Sequence, residues 1–238
     1  MKKIFFVLLI FNFSQANSQI VGAKDEPATK IKIIPQTTFY LEAGRLKTGR
    51  DLLVNSDFLA KPLGEREFET EANHWNFTLG ISLPIQKFIY FDGGMTFLRN
   101  GEEYTWQSSE NDSSFSYQTT YSYISMPLQL KIQGGNVLKY FLALGLQPQL
   151  LQSYRKNQQW TNEVNTKYSE TIKISDDCNS FALSLISSAG IELAMSKYYG
   201  IKLSMQYRKQ LSNTYLKTAD YIHRARGFGF GFGLTRTL

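Results

Sequence analysis

Along most of this chain, apolar and polar residues alternate one for one. Between residues 121 and 154, Ile124, Met126, Leu128, Leu130 and Ile132 alternate with Tyr123, Ser125, Pro127, Gln129 and Lys131. After Gly134-Gly135-Asn136 the pattern resumes, with Tyr140, Leu142, Leu144, Leu146, Pro148 and Leu150 set against Phe141, Ala143, Gly145, Gln147 and Gln149. A period of two marks a strand with one apolar face, and the glycine-rich interruption marks a hairpin turn. Both strands exceed the ~5–6 residues usual in soluble sheets and suit the ~9–11 residues of a strand crossing a bilayer at a tilt.

The same alternation predicts strands at 36–45, 72–83, 88–106, 180–195, 199–211 and 227–238, and starts the first strand of the hairpin near residue 115. In the last strand Phe228, Phe230, Phe232 and Leu234 alternate with Gly227, Gly229, Gly231 and Gly233. Connections are short after the second, fourth and sixth strands and long after the others. Polar stretches at 46–70, 108–114, 155–179 and 212–224 are expected loops. An even strand count with this rhythm predicts an all-β fold: an eight-stranded antiparallel up-and-down transmembrane β-barrel with short periplasmic turns and long extracellular loops.

The polar face decides which side meets lipid. It carries Glu42, Asp92, Lys131, Glu192, Lys202 and Arg208, charges that an apolar ligand cup would not tolerate unpaired. They are therefore expected to form an ion-pair network in the lumen while the apolar set faces lipid. Trp75, Trp106, Tyr154 and Phe181 at the loop-side strand ends, and Tyr140, Tyr198 and Tyr199 at the turn side, suit the interfacial belts of membrane proteins. Eight strands enclose a lumen that side chains can fill, so a solid plug is expected ahead of a narrow gated pore.

Composition fits this picture. Mean hydropathy is −0.28, as expected where the apolar face is hidden in alternation. Met1-Lys2-Lys3, an apolar run and Ala16-Asn17-Ser18 have the grammar of a secretory signal peptide. The expected organisation is a signal peptide at 1–18, a short periplasmic lead-in at 19–35 and the barrel at 36–238. The formal charge is +6, or +4 without Lys2 and Lys3, and no basic run is interleaved with aromatics as a nucleic-acid module would be. The sole cysteine, Cys178, lies in a polar loop as an expected free thiol.

Two stretches carry a family resemblance. YISMPLQLKI (123–132), followed after the glycine turn by YFLALGLQPQLL (140–151), resembles a hairpin of the small outer-membrane β-barrel family described as PorT-like or porin-like. AGIELAMSKYYGIKLSMQYRKQLSN (189–213) is similar to the family's penultimate hairpin. The resemblance implies a barrel fold in the outer membrane of a Gram-negative cell. Some relatives assist secretion. The chain departs from the pattern at Leu238, where many such barrels end in an aromatic residue.

Candidate chemistry is sparse. Only His74 and His223 are available as histidine bases, and Asp220-x-x-His223 is the nearest acid–base pair, expected in the last loop within reach of Asp176 and Asp177. No serine stands at a recognisable spacing from either histidine, so no catalytic residue is assigned and no enzyme is expected. No cluster has metal-ligand spacing, and the strand glycines alternate with phenylalanine rather than forming a phosphate loop, so no metal or cofactor is expected. Cations at the expected loop-side rim, Arg45, Arg155, Lys156, Arg224 and Arg226, suit lipopolysaccharide phosphates, and equally suit ordinary solvated charge. The expected function is a structural or docking protein of the cell envelope, whose partners are outer-membrane lipid, lipopolysaccharide and an envelope protein. A small-solute pore is the alternative, ahead of a hydrolase.

Overall fold

The computed structural model describes residues 35–54, 64–173, 176–216 and 219–238. The expected signal peptide and all but the last residue of the expected lead-in lie outside the described residues. Among the described residues there are ten strands: β1 (Thr38–Val54), β2 (Thr70–Gln86), β3 (Ile89–Gln107), β4 (Ser114–Ser125), β5 (Leu128–Gly135), β6 (Leu138–Thr161), β7 (Lys167–Ile172), β8 (Phe181–Ala194), β9 (Tyr199–Gln210) and β10 (Tyr221–Thr237). A 3-10 turn, Gly64–Phe68, precedes β2.

Every pairing is antiparallel, and the pairings form a ring running β1, β2, β3, β4 with β5, β6, β8, β9, β10 and back to β1. β4 and β5 are halves of one wall strand, and β7 pairs with β6 outside the ring. Ten strands thus make the expected eight walls. The seam pairs all of β1 with β10, from Thr38 opposite Thr237 to Val54 opposite Tyr221.

The break between β4 and β5 falls at Met126-Pro127, inside what alternation alone reads as a continuous strand. Proline has no N–H for the ladder, and Met126 N–H instead donates to Pro148 O at 2.9 Å. The turn between β5 and β6 rests on Gly135, whose φ of 109° suits glycine. On β10, a β-carbon at Gly231 would collide with the Glu42 carboxylate and the Ser204 hydroxyl. Glycine there makes room for lumen groups, while Phe230 and Phe232 on its outer face are exposed.

The three largest shifts of expected boundaries are at the loop end. β1 continues to Val54 through what reads as a loop from residue 46, because inward Leu46 and Thr48 extend the alternation and β10 pairs alongside. β6 runs 24 residues, and β7 folds back on it inside the expected loop 155–179. β10 starts at Tyr221 rather than 227. Tyr154, expected in the outer aromatic belt, turns inward and packs on buried Tyr121 at a centroid distance of 5.3 Å. The lumen's apolar core, formed by Leu98, Tyr121, Tyr123, Ala182 and Tyr215, lies toward the loop end, and ion pairs fill the turn end.

Candidate functional site

Alternation turns the charged residues of the turn-end strands into one enclosed layer. Lys131 Nζ stands 3.1 Å from Asp92 Oδ1, and Lys202 Nζ stands 2.8 Å from Glu42 Oε2. Ser204 donates to Glu42 Oε1 at 2.7 Å. Glu192 accepts from Lys139 at 3.3 Å and from Gln133 at 3.2 Å. Both Lys131 and Lys202 lie over the Phe141 ring, 5.9 and 5.2 Å from its centre, so the ammonium groups also meet an aromatic face.

Arg208 is placed apart from this layer. It is 1% exposed and donates across the lumen to Asn100 Oδ1 on β3 at 2.6 Å. Of the six lumen charges singled out in the sequence, five lie in this layer, as the pairs Lys131–Asp92 and Lys202–Glu42 and as Glu192 with Lys139, and Arg208 makes a cross-lumen strut.

A second polar layer at the loop end has no counterpart in the sequence reading. Arg50 of β1 forms an ion pair with Glu69, and its Nε stands 4.0 Å from Glu102 Oε1. Tyr117 donates to Glu69 at 2.5 Å and Tyr121 donates to Glu102 at 3.2 Å. The Tyr121 and Tyr215 hydroxyls are 2.9 Å apart, and Arg66 donates to Tyr215 at 3.4 Å. Its signal was the inward series Leu46, Thr48, Arg50, obscured by the polar residues between.

His223 belongs to this layer, not to a loop. It sits in β10 with Nδ1 2.8 Å from Thr214 Oγ1 and Nε2 3.5 Å from Glu102 Oε2. The acid that stands against its Nε2 is Glu102 of β3. Hydroxyl, imidazole and carboxylate stand in the order of a nucleophile relay. Thr214 and His223 are each 1% exposed, however, so in this conformation no substrate reaches the hydroxyl, and the contacts fasten Thr214 to β10 and β10 to β3.

The rim cations separate likewise. Arg45, Arg224 and Arg226 point outward on the paired strands β1 and β10, and Lys209 of β9 lies opposite Arg226. Arg226 is 3.6 Å from Asp51. Arg155 is exposed on β6, half the ring away. Lys156 departs from the expected rim: its Nζ lies 3.9 Å from the centre of the Tyr117 ring, on the inward face.

Two of the cavities at the loop end share a wall. One, of about 410 Å3, is lined by residues including Arg66, Tyr154, Asp177, Cys178, Tyr215 and Tyr221. The other, of about 300 Å3, shares Arg66 and is lined also by Arg50, Glu69, Glu71 and Glu102. Burial pushes the Cys178 thiol up to about 11, with Asp177 and Glu102 adding to the shift. Burial likewise raises the Tyr215 phenol, which stays a neutral hydrogen-bonding group at neutral pH.

A closed antiparallel ring with an apolar outside and a charged, hydrogen-bonded inside is a membrane-spanning β-barrel. Residues 35–222 match the family described as outer membrane protein beta-barrel domain. The chain belongs to that family, the small outer-membrane barrels expected from the hairpin motifs, and its place is the bacterial outer membrane. No curated protein matches the sequence. Matching solved structures include Ail, the attachment invasion locus protein of Yersinia pestis, in complex with the heparin analogue sucrose octasulfate. It is 11% identical, the match covers 84% of this chain and 99% of that one, and the TM-score is 0.30. Neisserial surface protein A is 9% identical, with coverage of 84% and 97% and a TM-score of 0.39. OprG from Pseudomonas aeruginosa is 9% identical, with coverage of 85% and 96% and a TM-score of 0.44.

Proposed function

We propose that the protein is a sealed, non-enzymatic anchor that holds a docking surface outside the outer membrane. The observation carrying this reading is the loop-end extension. β6 has 24 residues, where a membrane crossing needs ~9–11, and the ends of β3, β4 and β6 continue with β7 as one sheet. In this reading the short turns lie in the periplasm, the extension lies outside the cell, and the signal peptide at 1–18 directs export. The ion pairs of the turn end and the Arg208–Asn100 strut favour a closed lumen over a pore.

Purified protein in planar bilayers should then give no reproducible conductance. Steps that disappear on substituting Arg208 would replace the anchor reading with a gated pore. Cross-linking on intact cells should capture an envelope partner through the β6–β7 hairpin, and a partner retained after that hairpin is removed would place docking elsewhere.

A lipid contact belongs to the same reading. Arg45, Arg224 and Arg226, with Lys209, border the lipid-facing Phe228 and Phe230, where guanidinium groups would meet lipopolysaccharide phosphates. Lipopolysaccharide that still co-purifies in equal amount with the Arg224→Ala/Arg226→Ala variant would remove this contact.

A further inference from the structure

The paired loop-end cavities differ in wall chemistry. The larger is walled by the phenol rings of Tyr154, Tyr215 and Tyr221, with Asp177 at its side. The smaller is walled by carboxylates and Arg50, and Arg66 lines both. The Arg66 guanidinium lies 4.9 Å from the Tyr221 ring centre and 5.9 Å from that of Tyr215. In the smaller cavity Glu71 keeps 41% of its side chain exposed, whereas Arg50 is 5% exposed and ion-paired with Glu69.

These walls restrict the occupant. Carboxylates outnumber guanidinium groups across the two cavities, which disfavours an anion. Arg66 already occupies the cation's place over two of the three tyrosines, which makes a cationic ligand redundant. A purely apolar ligand would strip water from the carboxylates without replacing it. What remains is a neutral molecule with an apolar face and a dense edge of hydroxyls.

We propose that the two cavities bind an uncharged saccharide. One pyranose ring lies in the tyrosine-walled cavity against Tyr154, with hydroxyls hydrogen-bonded to Asp177 and Arg66. The adjoining sugar enters the smaller cavity, where Glu71 accepts. Each hydroxyl both donates and accepts, so it can meet carboxylate and guanidinium alike. The proposal rests on the reading that the loop end is the binding end and adds the class of ligand bound there.

The test uses the full mature protein refolded in amine-oxide micelles, since maltoside detergents would compete. Maltose, lactose, cellobiose and diacetylchitobiose are titrated by saturation-transfer NMR and calorimetry. At least one should bind saturably, with affinity falling about tenfold or more in Arg66→Gln and in Tyr154→Leu. Asp177→Asn, in an exposed loop, provides a third variant if Tyr154→Leu does not fold. Two results would each overturn the site: no binding of any of the four sugars, or binding unchanged in the variants. Failure of all four sugars in a barrel that does not conduct overturns only the saccharide. Conductance that depends on Arg208 overturns the sealed anchor and leaves the sugar titration to be judged on its own.

Discussion

Gln129 and Leu130 are adjacent in the chain, yet one is 6% exposed in the lumen and the other 54% exposed to lipid. Such parity makes the cost of a substitution depend on face and depth. Leu144 faces outward midway along its wall, at 57% exposure, and Leu144→Arg should cost ~2–4 kcal/mol. Leu53 also faces outward, but beyond Arg45 and Lys47 on the loop side, so Leu53→Arg should cost only ~0–1 kcal/mol. Urea titration of vesicle-inserted protein measures both, and equal costs would contradict the assigned depth. Cys178 offers a pH test. With its thiol raised to about 11, it is neutral through the physiological range, and only the thiolate reacts. Maleimide labelling should be slow at pH 7 and climb until about pH 11. A rate that levels off near an ordinary thiol's ~8.5 would show an open, solvated site.

At the scale of elements, legibility follows the solvent. Inside the bilayer a strand has one wholly apolar face, so period two stands out and the hairpin of 121–154 and the Phe-Gly strand are readable residue by residue. Outside it both faces are polar or mixed. The same backbone ladder then continues through Lys47, Gly49 and Asp51, or through 155–161, without an apolar signal, and those stretches read as loops. The contacts joining Glu102 to Arg50 and His223 were hidden for that reason, since Arg50 and His223 lie on strand ends that did not look like strands. Lys131, Glu42 and Lys202 lay within clean alternation, which assigned their face, but alternation carries no information on cross-barrel distance. Pairing Lys131 with Asp92 and Arg208 with Asn100 needs the ring's register. The loop-end hairpin should also be separable from the wall. Replacing 157–171 by a short glycine-serine link should leave an outer-membrane protein that still shifts on a gel when boiled, because the ring pairings of β6 with β5 and β8 end before residue 151. Loss of the shift would mean that the extension is needed for the barrel to form.

For the whole molecule, the lumen is the part that must be dry and balanced. Lys202→Ala would leave Glu42 enclosed without its cation, a change expected to cost ~3–5 kcal/mol. The double variant Glu42→Gln/Lys202→Met should regain most of that, since removing both charges of a buried pair is often close to neutral. Urea unfolding of the two variants checks this, and a single variant as stable as the parent would indicate water around Glu42. The seam of β1 and β10 sets a further requirement, one of timing. Its partners stand at opposite ends of the sequence, while the turns joining β2 to β3, β5 to β6 and β8 to β9 let local hairpins form early. The first wall made must therefore wait for the last. Throughout that wait both edges of an unfinished sheet are bare, a state prone to pairing with other chains. Joining β1 to β10 is accordingly the pairing with the longest chain to close, and until it forms the sheet is an opened curtain whose two hems have not met.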